Sequence, residues 1–163
     1  MIEQIKKFRD YLDYIEEHYN NVQTAWKLIQ DKCKNMHFIY DDNLFHQLNV
    51  MIKNHDLSKL SAMEFTQYRQ YFFPTCDEIK NKELFKEAWQ HHKENNDHHW
   101  QTWIKYDNNA KQEIALIHNI VDWVAMGIKF GDTACDYYEK NKEEINLPHW
   151  AEKYMYAIFK NIY

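Results

Sequence analysis

The sequence predicts an all-α, single-domain helical bundle of six to eight helices spanning residues 1–163. Three observations lead there. The 163 residues include only two Gly and two Pro, whereas all-β folds use both heavily in tight turns. Apolar residues recur at steps of three and four over long stretches, the period of a helix with one buried face. Capping residues stand where those stretches begin and end. At this length one core is large enough to need no disulfide or structural metal.

The elements follow in order. Residues 2–33 read as one long amphipathic helix with the stripe Ile5, Phe8, Leu12, Ile15, Val22, Trp26 and Ile29. His18 falls inside that stripe, where a core histidine with a hydrogen-bond partner competes with a metal ligand. Lys34 to Asp42 is a polar, aromatic connection. Asp41 or Asp42 caps a second helix carrying Phe45, Leu48, Met51 and Ile52, which ends near His55-Asp56. Ser61-Ala62-Met63-Glu64 fits a capping box, so a third helix is expected from Ser61 to about Phe73, before Pro74. Residues 74–81 form a loop. A fourth helix covers about Lys82–Glu94, with Leu84, Phe85, Ala88 and Trp89 inward. After Asn95-Asn96, Asp97 caps a short helix through Trp103. The helix at about Ala110–Phe130 is the most apolar, with Ile114, Ile117, Val121, Val124 and Ile128 as its stripe. Gly131 suits its C-terminal cap, and Asp132 the N-cap of a helix to about Glu144. Pro148 opens a last aromatic helix to Tyr163. No internal repeat, linker or low-complexity tract interrupts this series.

Composition removes several classes of function. The scarcity of glycine excludes a phosphate-cradling loop and a dinucleotide fingerprint. A net charge of −5 and a pI near 6.0 give no basic footprint for duplex nucleic acid. No apolar run reaches membrane-spanning length and the N-terminus is not a signal peptide, so no membrane partner and a cytoplasmic location are expected. Cys33, Cys76 and Cys135 are odd in number and widely spaced; they read as buried free thiols of a reducing compartment. A homodimer is compatible with a helical domain of this size, and no feature sets its symmetry.

The chemistry gathers around Asn54-His55-Asp56-Leu57-Ser58-Lys59. An imidazole and a carboxylate on adjacent residues offer one cation ligand and one bridge between two cations. Seven residues are candidate metal ligands: His18, His55, Asp56, His92, His98, His99 and Asp122. Nitrogen and oxygen donors without cysteine suit a divalent Zn, Mn, Fe, Co or Ni, one or two ions, with Mg also admissible, rather than a zinc finger. His91-His92 ends one helix and His98-His99 starts the next, so the break folds them together. Successive helical residues point about 100° apart, which turns one member of each pair inward; solvated helix ends are the competing reading. Asp122 beside an apolar stripe needs an ion or a salt bridge. His118, four residues before it, either co-ligates or hydrogen-bonds to it. Lys59 would neutralise a bound phosphate or orient the attacking water; otherwise it is a surface lysine. Trp100, with Trp89 and Trp123, would wall a pocket or stack a base, against plain core packing.

The segments HDLSKLSAMEF, AWQHHKENNDHHWQTW and DWVAMGIKFGD resemble DUF5662, a family of bacterial and phage proteins of unknown activity. The order His18, His55-Asp56, Asp122, with further histidines between, also resembles the HD-domain phosphohydrolases. That resemblance implies an HD-like fold, hydrolysis of a small phosphorylated substrate such as a nucleotide, catalysis through Asp56 and Lys59, and contact with substrate by Lys59 and Trp100. In it Asp56 bridges a first ion on His18, His55 and Asp122 to a second on His92 and His98 or His99. Two rival functions remain: a module that binds a nucleotide through metal without turnover, as a sponge or regulator, and a helical protein-interaction domain with a hydrogen-bonded polar core.

Overall fold

Two long helices, α1 (Ile2–Lys32) and α7 (Asn109–Phe130), lie along each other and form the largest helix–helix interface. The computed structural model describes residues 1–163 and contains no strand. α2 (His37–Tyr40) is a single turn within the expected connection. α3 (Asp42–Lys53) leads to a 3-10 turn at Leu57–Leu60. Then follow α4 (Phe65–Phe72), α5 (Lys82–Asn95), α6 (Trp100–Trp103), α8 (Ala134–Ile145) and α9 (His149–Ile162). The all-helical single domain is as expected, with α2 as the added element. No single helix is long and apolar enough to cross a membrane.

Local chemistry sets most boundaries. The Asp41 carboxylate accepts the Leu44 amide and starts α3. Asn81 and Asn108 do the same for α5 and α7. Gly131 ends α7 at φ 71°, a conformation that costs other residues more. Thr133 caps α8; the expected cap, Asp132, instead accepts the Thr133 amide and pairs with Lys140 at 2.8 Å. Asp97 does not cap either. It accepts the Tyr106 hydroxyl, and α6 starts behind His99.

The third helix differs most. It begins at Phe65, four residues past Ser61, beyond the usual ambiguity of helix ends. The capping box does not form: Glu64 is fully buried and its carboxylate turns to two histidines. α4 instead holds Arg69, 1% exposed, whose guanidinium meets Glu78 at 2.6 Å from one nitrogen and more closely from the other. That bidentate pair ties residues 74–81 to α4, and Glu3 adds a tether by accepting from the Cys76 amide and thiol. Of the three free thiols only Cys33 is buried; Cys76 is exposed and Cys135 half-buried, which corrects the expectation for both.

α7 is buried on nearly all sides, from Ile114 to Gly127, because α1, α3, α6, α8 and α9 all pack on it. Its stripe ends early, since Ile128 is 44% exposed. On α1, Ile5 and Leu12 face outward and Tyr11 is buried instead. The helix there packs against α4, whose Phe65 and neighbouring Phe73 hold Tyr11 with ring centres 5.1 and 5.9 Å away. Leu84 of α5 is likewise outward. The core consequently has two parts. The large one runs from Val22 of α1 through α3, α7 and α9, and the small one joins Tyr11, Tyr68 and Ala88. His18 lies on α1 between Tyr11 and Val22, so the polar cluster described next sits where the two parts meet.

Gly127 shows how tight the α7–α8 junction is. A Cβ there would stand 2.6 Å from the backbone oxygen of Asp132, which no flexible side chain can relieve. Gly127→Ala is expected to lower stability by about 1–3 kcal/mol, the usual penalty for overpacking, measured by urea unfolding. Unchanged stability would show that the 131–134 turn shifts freely.

Candidate metal centre

Five segments bring their polar side chains to one place: α1, the turn after α3, the end of α5, the turn before α6, and α7. His55 follows the C-terminus of α3. Asp56 is in the left-handed region at φ 58°, and this backbone kink turns its carboxylate into the interior, where it is 6% exposed. Asn54 to Asp56 thus form the turn that the sequence placed at a helix end.

The donors fall into two groups that share Asp56. In the first, His18 Nε2 lies 3.0 Å from His55 Nε2. Asp56 Oδ2 is 3.3 Å from each of these nitrogens. Asp122 Oδ1 is 3.3 Å from the first and 3.6 Å from the second. Donors bound at about 2.0–2.2 Å to one ion stand about 3.0–3.6 Å apart, so the His18, His55 and Asp56 atoms have the spacing of a coordination shell, and Asp122 reaches the two imidazoles of that set. In the second group Asp56 Oδ1 lies 3.2 Å from His92 Nε2 and 3.3 Å from His98 Nε2, and His99 adds a third imidazole within ligating range of the set. The two carboxylate oxygens therefore face different clusters.

The residues fit metal better than they fit one another. Asp56 Oδ1 is buried with no hydrogen-bond partner, as is His99 Nε2. Buried polar atoms of folded proteins are rarely left so. Two imidazole nitrogens 3.0 Å apart beside two carboxylates make a ready cation cage.

Titration behaviour reports the same field. Burial lowers the proton affinity of His18, but the Asp122 and Asp56 carboxylates outweigh it and lift its pKa to about 9. His55 is pushed down to about 4, mainly by burial. Burial likewise takes His99 to about 2 and His118 well below its ordinary value. Burial opposes ionisation of Asp56 and Asp122, yet neighbouring imidazoles, and for Asp56 also Lys59, hold both carboxyls well below the usual range. Neutral imidazoles and ionised carboxylates are the forms that bind divalent ions, so His18, and His92, whose pKa the Asp56 and Glu64 carboxylates raise against burial, must give up a proton as an ion enters.

Outside the ligating atoms, a supporting layer aims the rings. His55 Nδ1 is 2.9 Å from His118 Nε2. A cation on His55 Nε2 places the ring proton on Nδ1, which then donates to His118. His118 would then stand behind His55; it makes no hydrogen bond to Asp122, and its nitrogens also lie within ligating range of His55 and His98, a third set that could share an ion. Glu64 accepts from His92 Nδ1 at 2.8 Å and from His91 Nδ1 at 2.7 Å, directing His92 Nε2 at Asp56. Carboxylates behind metal-binding histidines commonly play this part. Sequence reading missed Glu64, because the serine three positions earlier made it look like a capping residue. Ser58 and Asn96 complete the layer, with the Asn96 amide donating to Ser58 Oγ at 2.7 Å.

Most expected residues meet here. Of the first histidine pair, His92 turns inward and His91 reaches only Glu64. Of the second, both His98 and His99 turn inward, which differs from the helical expectation. They lie in the turn before α6, where the 100° rule for helices does not operate. Lys59 is not at the surface: it is 8% exposed, with Nζ 2.5 Å from Asp56 Oδ2. Trp100 is half-buried and lines a cavity of about 410 Å³ that opens onto the cluster, together with Trp89, Trp123, His18, Asp56 and Lys59.

The sequence pattern described as "Family of unknown function (DUF5662)" matches residues 7–162. The chain belongs to DUF5662. No curated protein and no solved structure is significantly similar to it. The matched span of this DUF5662 chain contains every residue of the cluster.

Proposed function

We propose that this DUF5662 chain is a metal-dependent phosphohydrolase acting on a nucleotide or another small phosphate ester. The observation that carries the reading is Asp56, whose two oxygens face two separate groups of nitrogen and oxygen donors. Such an arrangement suits two ions flanking one reacting phosphate. The order His18, His55-Asp56, Asp122, which resembles HD phosphohydrolases, supports the same choice.

His18, His55, Asp56 and Asp122 would hold one ion, and Asp56, His92, His98 and His99 the other. Bound there, divalent ions supply Lewis acidity and bring the pKa of water toward neutrality. The chain's own residues supply the rest. Lys59, fixed by Asp56, offers a buried positive charge to a phosphoryl oxygen. Its ammonium stays protonated, since the attraction of Asp56 exceeds the penalty of burial. The aromatic wall with Trp100 holds the organic part of the ester and excludes water from the reacting face. Asp56 Oδ1, buried between two imidazoles with no hydrogen-bond partner, weighs against a merely hydrogen-bonded polar core.

The test is metal content of the purified chain, followed by phosphate release from a nucleotide panel with added Mn or Co. Metal-free protein with no release after loading would end the reading. Chelation gives a second expected result. An ion at about 1,000 times its Kd stabilises the folded state by about 4 kcal/mol, so removing it should lower Tm by about 8–16 °C in a domain of this size. A Tm indifferent to chelator would count against any resident ion.

A further inference from the structure

The cavity in front of the cluster is rich in rings and poor in fixed cations. Trp89, Trp100, Trp123, Phe85, Phe130 and Tyr137 line it. Lys59 is the single Lys or Arg among its lining residues, and it already faces Asp56. Lys93 and Lys129 approach the Trp89 and Tyr14 ring centres at 5.4 and 4.6 Å, but neither lines the cavity. Asp132 adds a carboxylate to the wall, with Lys140 as its partner. Gln101 also lines the cavity, and its Oε1 is buried without a partner.

Charge and shape then narrow the ligand. One phosphate carries a charge of about −1.5 to −2 near neutral pH, which the cluster and Lys59 can offset. The second and third phosphates of a triphosphate would lie against rings and Asp132. They would lose hydration there and meet no fixed cation. A flat ring system, by contrast, finds faces to stack on, and stacking on aromatic side chains tolerates any base. A volume of about 410 Å³ is at the small end for ligand pockets and takes one compact molecule.

We infer that the cavity selects phosphomonoesters bearing a single flat ring system, of which a nucleoside monophosphate is the type, and rejects nucleoside di- and triphosphates. The lone phosphate sits at the Asp56 cluster and the ring lies among the tryptophans. This inference rests on the proposed function for the place of the phosphate.

The experiment measures Kd on the metal-loaded full chain by calorimetry and tryptophan quenching, with AMP, ATP and glycerol 3-phosphate as probes. AMP is expected to bind at least about tenfold more tightly than either of the others, the scale of one stacked base. Trp100→Ala should weaken AMP by about tenfold and glycerol 3-phosphate by much less, since only the nucleotide carries a ring to stack. Trp100→Phe, which keeps a ring and guards against a folding defect, should retain AMP binding. ATP or glycerol 3-phosphate binding as tightly as AMP overturns the inference, as does no binding of AMP. Phosphate release in the same samples separates the two claims. A preference for AMP without release keeps the selectivity and ends the hydrolytic reading. Release from ATP at equal affinity does the reverse.

Discussion

Asp56→Asn is expected to remove both ions, with affinity lost by more than about 100-fold, the upper end for disturbing even an outer partner of a metal ligand. The effect is large because one side chain serves both donor groups. Its Oδ2 is 3.3 Å from His18 and His55, and its Oδ1 is 3.2 and 3.3 Å from His92 and His98. An amide supplies one weak oxygen and one N–H₂, which repels a cation and cannot ligate it. Asparagine is the right replacement because Asp56 sits at φ 58°, which asparagine tolerates and alanine resists. Lys59 loses its partner at the same time, so the apo protein should also lose stability. Metal analysis and calorimetric titration read the outcome. Wild-type metal content in Asp56→Asn would exclude Asp56 as the bridge.

Glu64→Gln is expected to weaken one ion by about 10–100-fold and spare the other. Glu64 does not approach the His18 group. It is fully buried and accepts from the far nitrogens of His91 and His92, with the Ser58 hydroxyl beside it. Glutamine turns an amide donor toward an imidazole N–H, so His92 loses its fixed tautomer and its aim at Asp56 Oδ1. His18, His55 and Asp122 keep their spacing. Glu64→Ala goes further, leaving two imidazoles without an acceptor, and should destabilise the fold by about 2–4 kcal/mol. Two-site titration separates the ions. Equal weakening of both would mean that the cluster does not divide into the two groups described here.

These two residues also mark what was readable in the sequence. Asp56 was legible because an adjacent imidazole and carboxylate stand in a chain of ten histidines, several of them placed to converge, and because a helix with Leu48 and Ile52 plainly ended before it. Glu64 was not, because Ser61-x-x-Glu64 is the pattern of a capping box and local pattern says nothing of a carboxylate drawn into the core. Lys59 was open to a surface reading for a similar cause. Its burial depends on Tyr14 of α1 and Tyr68 of α4, whose ring centres lie 5.8 and 6.0 Å from its ammonium. His98 and His99 were treated as helical, whereas His98 lies in a turn and His99 is the extended residue that precedes α6.

The amino-acid sequence by itself determined most of the helices, the caps at Asp41 and Gly131, the turn at Asp56 and the donor types that converge on it. Those properties follow from spacing and from hydrogen bonds a few residues long. Only the tertiary structure decided which imidazoles join which oxygen of Asp56, that Glu64 stands behind His92, and that His118 braces His55. Apart from the adjacent His55 and Asp56, those relations join residues 28 to 63 positions apart, and their geometry arises when α1, α5 and α7 close around the turn. No local rule carries the distance between two such side chains, because packing of whole helices sets it.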